Sequence, residues 1–217
     1  VPTNEQDVPG TVSTAPDLSA QVVARYVEIN GRHPMTAEDD AYVDRHYRTL
    51  EALCADRAET PDEVRAEMLA GRLPLPGYLR SDGTPMFPAD YFRLVDDAGG
   101  VDRLATWFHR HWSDADHAAE EWDSYLSGQY VCLSETTPGL MRRKDELAAE
   151  IRSALAVPEP GSDEWLDHLH ALVDELDAQT VEFTAYDRLR FGGPVSRDSL
   201  ITDVRAAHPR RNTGEGS

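Results

Sequence analysis

The chain has 217 residues, 40% of them hydrophobic and 28% charged, a balance that fits a globular protein of one domain or a small domain joined to a larger one. No apolar run approaches the ~20 residues that cross a bilayer. Forty acidic against 21 basic residues give a formal net charge of −19, which repels polyanions such as nucleic acid.

Helix signals dominate in chain order. The stretch "VPTNEQDVPGTVSTAP" lacks the basic start and apolar centre of a signal peptide. It reads as a disordered lead-in over 1–16 of a cytoplasmic protein. "PDLSAQVVARYVEIN" places Leu18, Val22, Val23, Tyr26 and Ile29 near one helical face and stops at Asn30-Gly31. "TAEDDAYVDRHYRTLEALCADR" has Thr36 as N-cap, acids in its first turn, and a buried stripe through Val43, Tyr47, Leu50 and Cys54. In "TPDEVRAEMLAGRLP", Thr60 is the N-cap, Pro61 fits the first helical position, Glu63 closes a capping box and Gly71 follows the end. "GYLRSDGTPMF" reads as two short strands joined at Asp82-Gly83. A helix is then expected from Pro88 to Gly99-Gly100.

Next comes one long helix, with Val101, Leu104, Phe108, Ala115, Ala119, Trp122 and Leu126 inward and Gly128 at its end. Thr137-Pro138 opens another, with Leu140, Leu147, Ile151 and Leu155 inward. After the linker "VPEPGS", a stripe through Trp165, Leu166, Leu169, Val173, Leu176, Thr180 and Phe183 marks a further helix. A Gly-Gly-Pro turn and Ser196 as N-cap start a short last helix. The tail 208–217 is polar and expected to be disordered. The predicted fold class is mainly α, a helical array with one small β-hairpin, in a single domain over 17–207. The absence of alternating strands argues against a Rossmann or barrel enzyme. Dinucleotide-site and P-loop glycine patterns are also missing, so no cofactor is expected.

The order of elements over 43–92 resembles a winged helix-turn-helix of the kind seen in MerR-like regulators, with 61–70 as second helix and 77–87 as wing. DNA binding would then require cationic and amide side chains on 61–70. That helix offers Asp62, Glu63 and Glu67 against Arg65, so nucleic acid is disfavoured as a partner. A packing unit, or a module that holds a peptide or protein, are the other readings.

Three stretches, "AGRLPLPGYLRSDGTPMFPADYFRLVDDAGG", "YLSGQYVCL" and "YDRLRFGGPVSRDSLITDVR", together resemble a domain-of-unknown-function family labelled natural-product biosynthesis proteins of antibiotic-producing soil bacteria. The resemblance spans roughly 40–208. It implies a role in secondary metabolism, acting on a pathway intermediate or with a partner protein, away from membranes, and carries over no catalytic residue. Whether the chain is a cofactor-free tailoring enzyme, a binding module for a precursor, carrier or partner enzyme, or a DNA-binding pathway regulator stays open.

The residues themselves offer two candidate constellations. "YDRLRFGGPVSRDSL" gathers Arg188, Arg190 and Arg197 beside a Gly-Gly turn and the helix start at Ser196, a corner suited to gripping a carboxylate or phosphate. Tyr186 and Asp187 are its candidate proton-transfer groups. The alternative is structural, with Arg188 docking the C-terminal element onto the acidic helix 163–184. Residues 157–184 hold eight acids and no Lys or Arg. In the second constellation, His111, Asp114, His117 and Glu121 step along one helix like metal ligands. One helix rarely completes a site, and the stripe places His117 on the wet side, so no metal is expected. Cys54 and Cys132, in apolar surroundings, read as buried free thiols in a reducing cytosol. A catalytic thiol would need a nearby cation, which sequence alone does not reveal. Trp107, Trp112, Trp122 and Trp165 read as core anchors.

Overall fold

A computed structural model describes residues 17–159 and 161–211. The expected lead-in, and the tail beyond 211, lie outside the described residues. The chain is mainly helical: α1 (Leu18–Asn30), α2 (Ala37–His46), α3 (Leu50–Cys54), α4 (Pro61–Leu69), α5 (Arg93–Ala98), α6 (Val101–His109), α7 (Ala115–Leu126), α8 (Pro138–Ala156), α9 (Asp163–Gln179), α10 (Ala185–Arg190) and α11 (Asp203–Ala207). A π-type turn over Asp198–Thr202 leads into α11. Strands β1 (Tyr47–Arg48), β2 (Tyr78–Leu79) and β3 (Pro85–Pro88) form one antiparallel sheet in the order β1-β3-β2.

Local chemistry explains many of the boundaries. Thr36, Thr60 and Thr184 each accept from the backbone N–H three residues on. Asp39, Glu63 and Asp187 return the bond to the cap N–H. The hairpin closes through Arg80 N–H to Thr84 O at 3.0 Å. Gly128 ends α7 with φ +77°, and a Cβ there would run into the carbonyl oxygens of Pro76 and Leu75.

Several expected boundaries move; α9, for one, ends at Gln179 and leaves Phe183 outside it. The stripe Val43–Cys54 is buried throughout, but a helix does not carry all of it. Tyr47 and Arg48 pair with Pro88 and Phe87 as β1, making the hairpin a three-stranded sheet. Pro88 ends β3, and the helix expected there starts at Arg93. The long helix breaks at 110–114, where the Asp114 carboxylate accepts from His117 N–H at 2.8 Å and starts α7 afresh. This resets the helical phase. Ala115 and Ala119 are exposed, Ala118 and Tyr125 buried, and His117 half-buried rather than wet.

The main core joins α1, α3, α4, the sheet, α5, α6 and α7, with Phe108 at its centre and Trp107, Trp112 and Trp122 against it. A second core lies between α8 and α9 and is closed by Leu200, Ile201 and Val204, with Trp165 on its edge. Burying such side chains stabilises by about 1.5–3 kcal/mol each. Residues 208–211, expected to be loose, meet α9: the His170 ring bonds His208 O at 2.8 Å, and Arg210 pairs with Asp174. Among the described residues no helix is long and apolar enough to cross a membrane.

Candidate functional site

Between the two cores, the segment after α7 runs antiparallel to the end of α9. Val181 N–H donates to Cys132 O at 3.0 Å and Ser134 N–H to Gln179 O at 2.9 Å, which fixes the Cys132 backbone. Thr137 then caps α8, and its second turn returns Lys144 to the same place. The Lys144 ammonium donates to Cys132 Sγ at 3.2 Å. Lys144 is the only lysine of the chain, and Cys132 is 6% exposed.

Both side chains wall a cavity of about 300 Å³. Its apolar surface comes from Phe183, Phe191, Pro194 and Val195, its polar groups from Ser124, Gln129 and Ser196, and Tyr130 also borders it. Size and mixed lining suit a small, partly apolar ligand. Burial pulls the Lys144 ammonium down. The Cys132 sulfur, with Asp145 and Glu121, outweighs this and holds it above the ordinary lysine value. The pair therefore places a nucleophilic sulfur beside a positive charge on the cavity wall. Cys54 differs: buried in α3, its thiol is pushed up chiefly by burial.

The structure distributes the residues singled out by sequence. Ser196 lines the cavity. The Arg188 guanidinium grips Asp198 at 2.9 and 2.6 Å. Arg197 donates to Thr180 Oγ1 at 3.0 Å and pairs with Asp177 of α9 at 2.5 Å, so the docking onto the acidic helix falls to Arg197. Arg190, 9% exposed, donates to Gly77 O at 2.6 Å and to Asn30 Oδ1 at 3.1 Å. Asp187, 1% exposed, accepts from Tyr78 OH at 2.7 Å and from Thr184 N–H at 2.8 Å. Tyr186 is buried beside Tyr78 and borders a separate cleft of about 470 Å³ with Arg32 and His33. Tyr186, Asp187 and Arg190 thus sit in one buried polar knot; none of them lines the cavity, and the knot meets its wall where the Arg190 guanidinium lies 5.1 Å from the centre of the Phe191 ring.

The helical metal pattern also separates. His111 Nδ1 is bonded to Trp107 O at 2.9 Å and Asp114 caps α7, while His117 and Glu121 stay together. Sequence reasoning missed the Cys132–Lys144 pair. Cys132 gave no signal beyond an apolar context, and its cation stands 12 positions on, across a turn and a helix start.

The architecture is thus a mainly α body with a small antiparallel sheet and a cavity between two cores. Residues 105–209, from α6 to α11, match the model of a family described as "Family of unknown function (DUF6058)". Every cavity-lining residue falls inside that span. Neither curated proteins nor solved structures gave a match to the chain.

Proposed function

We propose that this is a cytoplasmic protein of natural-product biosynthesis, a cofactor-free tailoring enzyme that takes a small activated acyl intermediate into the cavity. Cys132 is the nucleophile and Lys144 its cationic partner. The observation that carries the reading is the 3.2 Å contact between Lys144 Nζ and Cys132 Sγ on the cavity wall. The thiolate sulfur attacks the acyl carbon, forming an S–C bond as the bond to the leaving group breaks. The leaving group takes a proton from the Lys144 ammonium; a second, protic nucleophile then attacks the thioester carbon, gives its proton to the Lys144 amine and displaces the Cys132 sulfur, restoring both groups. A carrier-tethered thioester has the required chemistry.

The test replaces Cys132→Ser and Lys144→Met in the producing cell. Each variant should accumulate an intermediate one step short of product. In the purified protein, iodoacetamide should alkylate Cys132 faster than Cys54, and Lys144→Met should slow it about tenfold. Full product from both variants, with both folded, would refute the catalytic reading.

A second reading, a non-catalytic holder of a carrier or partner enzyme, draws on Leu189 and Phe191, which are 50% and 38% exposed, Phe191 also lining the cavity. In that case Phe191→Asp abolishes product while Cys132→Ser does not. The order α2, β1, α3, α4, β2, β3 with sheet order β1-β3-β2 supports a winged-helix-like reading of 43–92. Arg65 on α4 is engaged by Glu51 and Asp62, which weighs against a DNA-binding regulator and for protein contact.

A further inference from the structure

The face of α7 that carries His117 and Glu121 meets Asp145 of α8. The two α7 residues stand one turn apart, on the same side of the helix. A ring nitrogen of His117 and one carboxylate oxygen from each acid all lie within 4.8 Å of one another. Metal chemistry fails for α7 alone because it supplies two ligands. The fold brings the third from a different helix.

Glu121 Oε2 is buried and has no hydrogen-bond partner. A carboxylate oxygen shut from water without a donor is costly. Glu121 thus brings an unpartnered buried oxygen to the group that it forms with His117 and Asp145.

We propose that His117, Glu121 and Asp145 form a binding site for one divalent transition-metal cation, zinc foremost, between α7 and α8. One borderline nitrogen and two hard oxygens suit zinc or manganese; calcium calls for six to eight oxygens. Ligands on tetrahedral zinc stand about 3.4 Å apart, given zinc–ligand lengths near 2.1 Å. Closing the triangle from 4.8 Å takes side-chain rotation of Glu121 and of Asp145, which is exposed and free to turn. A fourth position stays open to water. None of the three lines the Cys132–Lys144 cavity, so this site goes beyond the proposed function and stands without it.

The full chain, without a histidine tag and stripped with EDTA, is titrated with zinc chloride by calorimetry. One zinc per chain is expected, with visible bands of a low-symmetry site when cobalt(II) replaces it. His117→Gln and Asp145→Asn should each weaken binding at least tenfold with unchanged far-ultraviolet circular dichroism. Cys132→Ser should bind zinc like the parent, which separates this site from the catalytic reading. No zinc uptake by the parent chain, or uptake unaltered in the folded His117→Gln/Asp145→Asn double variant, overturns the proposal.

Discussion

Arg190 is the residue on which two halves of the chain converge. It leaves α10, passes the rings of Tyr26 and Tyr78 at 5.5 and 5.8 Å, and donates to Gly77 O and Asn30 Oδ1. Asp187, one turn earlier on α10, takes the Tyr78 hydroxyl. Burial, before any neighbouring charge, pushes the Tyr26 and Tyr78 hydroxyls far above their ordinary range, so both stay protonated as donors. Removing the guanidinium leaves Asn30 Oδ1 without a donor and Gly77 O with only the longer bond from the Tyr26 hydroxyl at 3.4 Å. Arg190→Ala is therefore expected to cost about 3 kcal/mol, read from the urea midpoint. Arg190→Lys should not restore it, because an ammonium lacks the planar fork that reaches Gly77 and Asn30 together. By contrast the exposed Arg25–Glu28 pair, 2.7 Å apart on α1, should contribute under about 0.5 kcal/mol. Equal losses from Arg190→Ala and Arg25→Ala would show that the knot adds nothing to stability.

At the scale of elements, the C-terminal segment is held to α9 by a ladder of ion pairs. Asp177 receives Arg197 and, at 2.7 Å, Arg205; Asp174 receives Arg205 at 2.9 Å and Arg210. Burial raises both carboxyls, but the guanidinium hydrogen bonds win and hold them below the ordinary 3.8. A carboxyl lowered in the folded state stabilises fully above its unfolded value, and the gain is lost as pH falls through the folded value. Arg197→Ala, whose loss leaves Asp177 still paired to Arg205, should cost about 1–2 kcal/mol at pH 7. The gap between parent and variant, followed by tryptophan fluorescence in urea, should narrow from pH 5 to pH 3. A gap independent of pH would mean that Arg197 acts through Thr180 alone. Parts of this architecture were readable and parts were not, for physical reasons. Thr36 and Thr60 were legible as caps because a cap is decided within four residues. The strand Tyr47–Arg48 was not, since two residues show no period and Val43, Tyr47, Leu50 and Cys54 mimic one helical face. The break before α7 hid for the same reason, and with it the phase that turns His117 inward. Cys132 meeting Lys144, and Asp145 meeting Glu121, depend on how α7 and α8 pack. No local pattern encodes that.

Over the whole molecule, the question is whether attraction or repulsion dominates among 40 acids and 21 basic residues. Most ion pairs are at least partly exposed, and such pairs contribute about 0–1 kcal/mol each. Against them stands an uncompensated −19. The outer face of α7 shows it: Asp116, Glu120 and Asp123 stand three or four residues apart, exposed, with no ion-pair partner among the described residues. Like charges at that spacing destabilise a helix. Raising the salt from 20 mM to 0.5 M shortens the screening length from about 20 Å to about 4 Å. Repulsion summed over many distant acids then fades more than pairs already in contact do. Repulsion should win, and the melting temperature should rise by about 3–6 °C in sodium chloride, as for a gain of 1–2 kcal/mol in a chain of this size. Replacing Glu120 by Gln should raise the low-salt value and shrink the salt response. A melting temperature that falls with salt would show instead that the ion pairs, above all the α9 ladder, outweigh the excess charge.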